Sequence, residues 1–345
     1  MRVVVVGASG NVGTALLRRL RDDASVPVVD GVVRRVPRGR VPRPYDTVRW
    51  TALDLAADGA DAPVVEDLAR VIRGADAVVH LAWAIQPSHD RGYLRRVNVV
   101  GTRRVIAAVA AARVPHLVVA SSVGAYSPGP GDVLRDEQWP TDGIRSSSYS
   151  VDKAAVERLL DEAEAAHPWL RVARVRPALV FQRAAAHEQV RYFLGPFVPK
   201  RWLAGKAPVL PWPTGLRLQA VHADDLADAL REAVVRQARG AFNIAGSGIV
   251  HGKDVAAVVS KGELRDVEPH VARTAMSLGW HARVVPAGPG WLDMALGVPL
   301  MDTTRAVREL DFRPAHTGLE AVTEALQGMA DGAGHASPPL RPRKL

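Results

Sequence analysis

Short apolar runs alternate with longer amphipathic stretches along most of this chain, and the two differ in period. Val3-Val4-Val5-Val6 is a continuous apolar run, the pattern of a strand buried on both faces. Val12, Leu16 and Leu20 then recur at helical spacing. The same reading predicts strands over Val28 to Val33, Ala77 to Leu81 and Leu117 to Ser121. It predicts helices over 63–73 and from Tyr93 to Ala112, the latter broken before Pro115. A helix from Val151 to Ala166 and a further strand from Leu170 to Val175 follow. Strands and helices alternating through at least five units imply an α/β fold, a Rossmann-like doubly wound parallel sheet.

Beyond Pro177 the texture changes. Residues 178–214 are rich in Phe, Trp, Pro and Leu, as in Tyr192-Phe193-Leu194-Gly195-Pro196 and Val209-Leu210-Pro211-Trp212-Pro213. Such a segment suits an apolar lid, a dimer surface or a membrane-touching stretch, and its Pro density argues against a regular amphipathic helix. The alternating pattern returns over Leu216 to Leu230 and Ala241 to Ile244. Residues 246–300 read as a second lid segment, and 305–329 closes with a helix. The expected organisation is a sheet domain over 1–177 plus 215–245, a small C-terminal lobe over 178–214 plus 246–330, and a disordered Gly/Pro/Arg-rich tail over 331–345.

The first chemical signal is Gly7-Ala8-Ser9-Gly10-Asn11-Val12-Gly13, placed between the first strand and the first helix. Glycines let the backbone turn tightly and approach a pyrophosphate held at the positive end of the helix, so Gly7, Ser9, Gly10, Asn11, Val12 and Gly13 are expected to bind a dinucleotide. The second signal is Tyr149 followed four residues later by Lys153, on one helical face. A nearby ammonium favours phenolate, so the pair is expected to move a proton. Lys occurs only at 153, 200, 206, 253, 261 and 344, which makes its use here stand out against a background of Arg.

Composition narrows the alternatives. The 345 residues suffice for one large α/β domain with a smaller lobe. No stretch approaches the ~20 continuous apolar residues of a membrane span, and the chain enters a strand at once without a signal-peptide pattern, so a cytoplasmic location without membrane contact is expected. The absence of Cys excludes thiol nucleophiles and thiolate metal sites. His187-Glu188 has no second His four residues on, so no metal is expected. The net charge of +9 comes from dispersed Arg without aromatic interleaving, which argues against nucleic acid as a partner.

With these residues in hand, the chain resembles the extended short-chain dehydrogenase/reductase superfamily, the NAD-dependent epimerase/dehydratase group, over roughly residues 1–330. Gly7, Gly10 and Gly13 match its GxxGxxG, and Tyr149 with Lys153 its YxxxK. The resemblance further assigns Asp54-Leu55 to the adenine contact and His80-Leu81-Ala82 to the loop beside the cofactor. Asn98 matches the structural or proton-relay Asn, Ser122 the catalytic Ser/Thr, and Arg176-Pro177 and Val221-His222-Ala223-Asp224-Asp225 later landmarks. It implies hydride exchange between nicotinamide and a substrate carbon. Tyr149 would then transfer the hydroxyl proton, Lys153 would hold the nicotinamide ribose and tune Tyr149, and Ser122 would hydrogen-bond the carbonyl oxygen. Without the resemblance, Ser122 reads as a strand-end turn cap and Asn98 as a packing residue.

Departures from the family pattern narrow the activity. Where the family has an acid for the adenosine ribose, this chain has Val33 followed by Arg34 and Arg35, so NADP is expected, with NAD possible. Ser122 is followed by Val123-Gly124 rather than an acidic pair, which argues against sugar dehydration. The Asn typical of UDP-sugar epimerases is replaced by an apolar residue near Leu179, and the usual Gly after it by Gln182. The expected activity is that of an NADP(H)-dependent oxidoreductase on a ketone or secondary alcohol of an apolar small molecule, with a homodimer possible. The alternatives are a nucleotide-sugar epimerase with tightly bound NAD, or a non-catalytic NADP sensor. Trp83, Trp202, Trp212, Trp280 and Trp291 line either the substrate cleft or the lobe's own core.

Overall fold

The computed structural model describes residues 1–37, 41–86, 88–129 and 131–342; residues 38–40 of the Pro/Arg loop and 343–345 of the expected tail lie outside them. The chain begins β1 (Arg2–Val6), α1 (Asn11–Leu20), β2 (Val28–Val33), β3 (Arg49–Ala52), α2 (Asp61–Ile72) and β4 (Ala77–His80). It continues with α3 (Arg91–Arg95), a π-helical stretch over Arg96–Val100, α4 (Gly101–Ala112), β5 (His116–Ala120), β6 (Leu134–Arg135), α5 (Ser148–Ala166) and β7 (Arg171–Pro177). Then come β8 (Leu179–Phe181), α6 (Ala186–Gln189), β9 (Leu210–Pro213), β10 (Arg217–Leu218), β11 (Ala220–His222), α7 (Ala223–Val235) and β12 (Gly240–Ile244). The last part holds β13 (Val250–His251), α8 (Gly252–Val259), β14 (Leu264–Val267), α9 (Pro269–His281), α10 (Gly290–Gly297), β15 (Leu300–Met301), α11 (Thr304–Leu310) and α12 (Gly318–Asp331).

Seven strands form one parallel sheet in the order β12-β7-β5-β4-β1-β2-β3. The valines of β1 explain its central place: Val3, Val4, Val5 and Val6 are all buried, alternately on the two faces, against helices on each side. One face carries α1 and α7 and the other α2, α4 and α5, which is the doubly wound arrangement expected from the alternation. The chain steps outward from β1 to β2 and β3, then returns through α2 to β4 on the other side of β1. The order therefore reverses between β1 and β4, where open α/β sheets bind ligands at their carboxyl ends.

The reading missed β3. Arg-Trp-Thr-Ala is short and only half-buried at the sheet edge, so its sequence carries neither a long apolar run nor strict alternation. The expected helix from Tyr93 to Ala112 is three pieces, with a π stretch that displaces the Asn98 turn from regular α spacing. The disordered tail needs correction. Asp331 ends α12 and residues up to 342 fold back on the body, with Leu340 fully buried and the His335 ring edge-on to Tyr45 at 5.2 Å. The Tyr45 hydroxyl bonds both His335 Nδ1, at 3.0 Å, and Thr14 of α1, at 2.9 Å, so partners distant in sequence order a segment that composition marks as loose.

Candidate active site

The turn after β1 is built around atoms its glycines lack. Gly7 has φ +92°, and a Cβ there would lie 2.6 Å from the Ala82 nitrogen in the loop after β4. A Cβ on Gly13 would lie 2.5 Å from the Gly7 carbonyl oxygen, so α1 touches the turn only because that atom is missing. Gly10 is the N-cap of α1 and offers no side chain to the first-turn amides, which leaves them for an anion. Ser9 is buried in the same turn, and Val12 packs on the core. The residues present thus fit a dinucleotide pyrophosphate. Gly13→Ala is expected to cost about 1–3 kcal/mol by overpacking backbone against backbone and to weaken nucleotide binding at least tenfold, checked by denaturant unfolding and fluorescence titration.

Asn11 takes an unforeseen partner. Gln182 Nε2 donates to its backbone oxygen at 2.8 Å and to its Oδ1 at 2.6 Å, while the Gln182 Oε1 accepts from Arg18 at 3.0 Å. The residue that stands in place of the usual glycine therefore ties the segment after β8 to the first turn of α1.

Ser122 and Tyr149 meet because α5 starts against the turn that follows β5. The Ser150 hydroxyl donates to the Gly124 carbonyl and accepts from the Ile144 amide, pinning the first turn of α5. Gly124 leaves room for the phenol ring: a Cβ there would lie 3.0 Å from Tyr149 Cε1 and 2.9 Å from Met294 Sδ. Ser122 Oγ accepts from the Gly124 amide at 3.0 Å and stands close enough to the Tyr149 phenol to favour its charged form. One turn further along α5, the Lys153 ammonium donates to the Ala120 carbonyl at 2.8 Å and lies under the Trp83 indole, 3.6 Å from the ring centroid. It stands 5.8 Å from the Tyr149 ring centroid.

This geometry corrects the expected electrostatics. Burial pushes the Tyr149 phenol up to about 12, against the lowering effect of the neighbouring Ser122, so the phenol is neutral rather than a phenolate. Burial also pulls the Lys153 ammonium down to about 7, although Glu157 and Asp152 on the same helix act to raise it. Burial and the Lys153 charge hold the His80 imidazole down at about 3. The Thr102 hydroxyl donates to the Asn98 carbonyl and so accepts from His80 Nε2, which fixes a neutral tautomer with the proton on Nε2.

Asn98 lies on the π stretch with its amide fully used. Its Oδ1 accepts from the Ala84 amide at 2.8 Å, and its Nδ2 donates to the Ala84 carbonyl at 3.0 Å and to Asp152 at 3.4 Å. Asp152 is paired in turn with both terminal nitrogens of Arg91. The geometry thus favours a brace on the loop after β4 over a proton relay. Leu81 continues β4 by bonding Val6, and Ala82 touches the Gly7 turn. Pro177 ends β7 beside Ile244. Asp54 is exposed and accepts from the Ala56 amide, while Leu55 is buried under Gly101. Arg34 and Arg35 are exposed just past β2, with Arg34 donating to the Tyr93 hydroxyl. The acid inside β2, Asp30, is committed to Arg2 and Arg49 and is not at the strand end.

The tryptophans divide between the two readings. Trp83 meets Tyr149 edge-on at 5.6 Å and Trp291 meets it at 4.8 Å, with Phe193 perpendicular to Trp291 at 5.0 Å. Trp280 is one layer out, stacked on His89, while Trp212 packs against the apolar cluster around Val250 and Val255, and Trp202 is partly exposed. Sequence reasoning placed Phe193 only within the apolar lid segment and missed Met294 and Gly290. A Cβ on Gly290 would lie 2.3 Å from the Ser146 carbonyl, so this glycine lets α10 touch the start of α5 and bring Trp291 to Tyr149. A glycine directly before a tryptophan in an apolar segment was the available signal.

Among the described residues no helix is long and apolar enough to cross a membrane, and no group of His, Asp and Glu could hold a metal. The NAD dependent epimerase/dehydratase family model matches residues 3–245. A hybrid PKS-NRPS synthetase of Macrophomina phaseolina is 30% identical over 83% of the chain, which spans only 7% of that protein. An uncharacterized protein of Mycobacterium tuberculosis is 26% identical over 94% of the chain and 83% of its own length. The sterol-4-alpha-carboxylate 3-dehydrogenase of Candida albicans is 27% identical over 52% of this chain and 50% of that protein. Among solved structures, the UDP-glucose 4-epimerase of Thermus thermophilus in complex with NAD superposes with TM-score 0.68 at 19% identity, covering 96% of this chain and all of that one. MoeE5 in complex with UDP-glucuronic acid and NAD gives TM-score 0.68 at 21% identity, covering 96% and 99%. The matched span covers the parallel sheet, and the chain belongs to the NAD dependent epimerase/dehydratase family.

Proposed function

We propose that this chain interconverts a ketone and a secondary alcohol on an apolar small molecule, with NADP(H) as its cofactor. The observation that carries the substrate class is the aromatic and thioether wall around Tyr149, made by Trp83, Trp291 and Met294 and extended by Phe193. A wall of this kind would desolvate an apolar carbonyl compound at little polar cost. In reduction, the Ser122 hydroxyl polarises the carbonyl oxygen and Tyr149, neutral and buried, gives it the proton. The nicotinamide, when bound, supplies the hydride. The Gly7 to Gly13 turn would hold the pyrophosphate, and Leu81, Ala82, Lys153 and Pro177 would flank the nicotinamide side. The Candida albicans relative is named as a 3-dehydrogenase of a sterol carboxylate, whose sterol body is in keeping with this reading.

The cofactor preference rests on the end of β2, where Val33 is buried, Arg34 and Arg35 are exposed, and Asp30 is spent inside the strand. Titration by fluorescence is expected to show NADPH bound more tightly than NADH. Replacing Val33 by Asp and both arginines by neutral residues should move the ratio toward NADH by about 10- to 100-fold, as one charge-assisted contact of ~1.5–3 kcal/mol is lost. An unchanged ratio removes the NADP assignment. Turnover of a UDP-hexose with tightly retained NAD, and none of an aryl or alkyl ketone, would replace the reductase by an epimerase, the chemistry of the Thermus neighbour.

A further inference from the structure

Beyond its place in the aromatic wall, Trp83 touches two of the three side chains proposed to react. Its face covers the Lys153 ammonium at 3.6 Å and its edge meets the Tyr149 ring at 5.6 Å. Its indole N–H is buried with no hydrogen-bond partner among the described residues, so no polar contact shown there explains where the ring sits. The chain on its C-terminal side does. Asn98 clamps both backbone groups of Ala84, Gln86 donates to the carbonyls of Tyr192 and Pro286, Ser88 donates to Pro286, and His89 stacks on Trp280 at 4.1 Å. An indole held this firmly while its own donor goes unsatisfied is kept for its face and edge.

We propose that Trp83 is a positioning residue of the site: its π face seats the Lys153 ammonium against the Ala120 carbonyl, and its edge sets the distance between that ammonium and the Tyr149 phenol. The proposal rests on the reading of Ser122, Tyr149 and Lys153 as the proton-transfer site, and it adds the group that holds two of them apart. Attraction between an ammonium and an indole face favours the charged lysine, more so where water is excluded. The other groups facing Lys153 are Asp152 and Glu157 from its own helix, His80 from β4 and Tyr149. The two carboxylates favour the ammonium, whereas burial disfavours it and holds the group at about 7. Trp83 therefore acts on a lysine poised near neutrality, where a modest loss of cation stabilisation changes its charge.

The test reads Lys153 directly. With only six lysines in the chain, 13Cε-lysine labelling gives few resonances, and Lys153→Met identifies the one that matters by its disappearance. Trp83→Leu, which keeps apolar bulk but no π face, is expected to move the Lys153 titration about one pH unit lower, and Trp83→Phe to restore most of it. Uniform 5-fluorotryptophan, which weakens the face without altering the fold, should shift it the same way and keeps the proposal testable if Trp83→Leu does not fold. On a substrate the wild type turns over, Trp83→Leu should lower kcat at least tenfold with little change in cofactor KM, and its high-pH limb should move down with the lysine. A Lys153 titration unmoved by both Trp83→Leu and fluorotryptophan overturns the proposal, whatever the activity. A shifted titration in a protein that reduces no ketone upholds the seating of Lys153 and overturns the proposed reductase instead.

Discussion

Tyr149→Phe is expected to lower turnover by about 10²–10⁴-fold while leaving nucleotide affinity nearly unchanged. The ring keeps its contacts with Trp83 and Trp291, so the aromatic wall survives and only the hydroxyl is lost. Ser122 keeps its bond from the Gly124 amide, so the turn after β5 is not released. Because burial holds the phenol near 12, the wild-type donor stays protonated through the neutral range, and the variant's loss should be nearly flat with pH between about 6 and 9. Steady-state kinetics beside a fluorescence titration of the nucleotide checks both halves. Retention of most of the activity would remove Tyr149 from the chemistry, and a parallel loss of nucleotide binding would mean that the hydroxyl serves the cofactor.

What the sequence disclosed and what it withheld follow the range of the interactions. The Gly7 to Gly13 turn is local: its glycines are needed for atoms within a few residues of one another, and for one neighbouring loop at Ala82. The Tyr149 and Lys153 pair is also local, set by a single helical turn. The electrostatics of that pair were misjudged because burial, which reverses the direction of the Tyr149 shift, comes from residues that arrive from elsewhere. Trp291 reaches Tyr149 through the contact of Gly290 with Ser146, a meeting of segments more than a hundred residues apart. The tail reads as loose from its Gly and Pro content, and is ordered by Tyr45 at the far end of the chain. No local pattern encodes any of these partners.

Arg176→Met is expected to destabilise the fold by about 3–5 kcal/mol, because it leaves a buried carboxylate short of its main counter-ion. Glu157 is fully buried on α5, four residues after Lys153. Arg176 of β7 grips it with Nε and Nη2, each at 2.9 Å, Ser121 donates to it at 2.6 Å, and Arg174 reaches it at 3.2 Å. Arg176 also donates to the Tyr126 hydroxyl, which in turn bonds Asn243 of β12. The network joins three sheet strands to the helix that carries Tyr149 and Lys153, so its loss should loosen the site as well as the fold. Burial pushes the Glu157 carboxyl up, but the bond and charge of Arg176, with help from Ser121 and Arg174, bring it net below the ordinary 4.5. A depressed folded value means that the pair's stabilisation is present above that ordinary value and is lost as pH falls through the folded one. The gap between wild type and Arg176→Met in urea unfolding should therefore be widest near pH 7 and shrink in acid. Adding Glu157→Gln to Arg176→Met removes the uncompensated charge and should recover part of the loss. If the double variant is as unstable as the sum of the two single ones at pH 7, the buried charge is not the cause, and the loss belongs to packing around Tyr126.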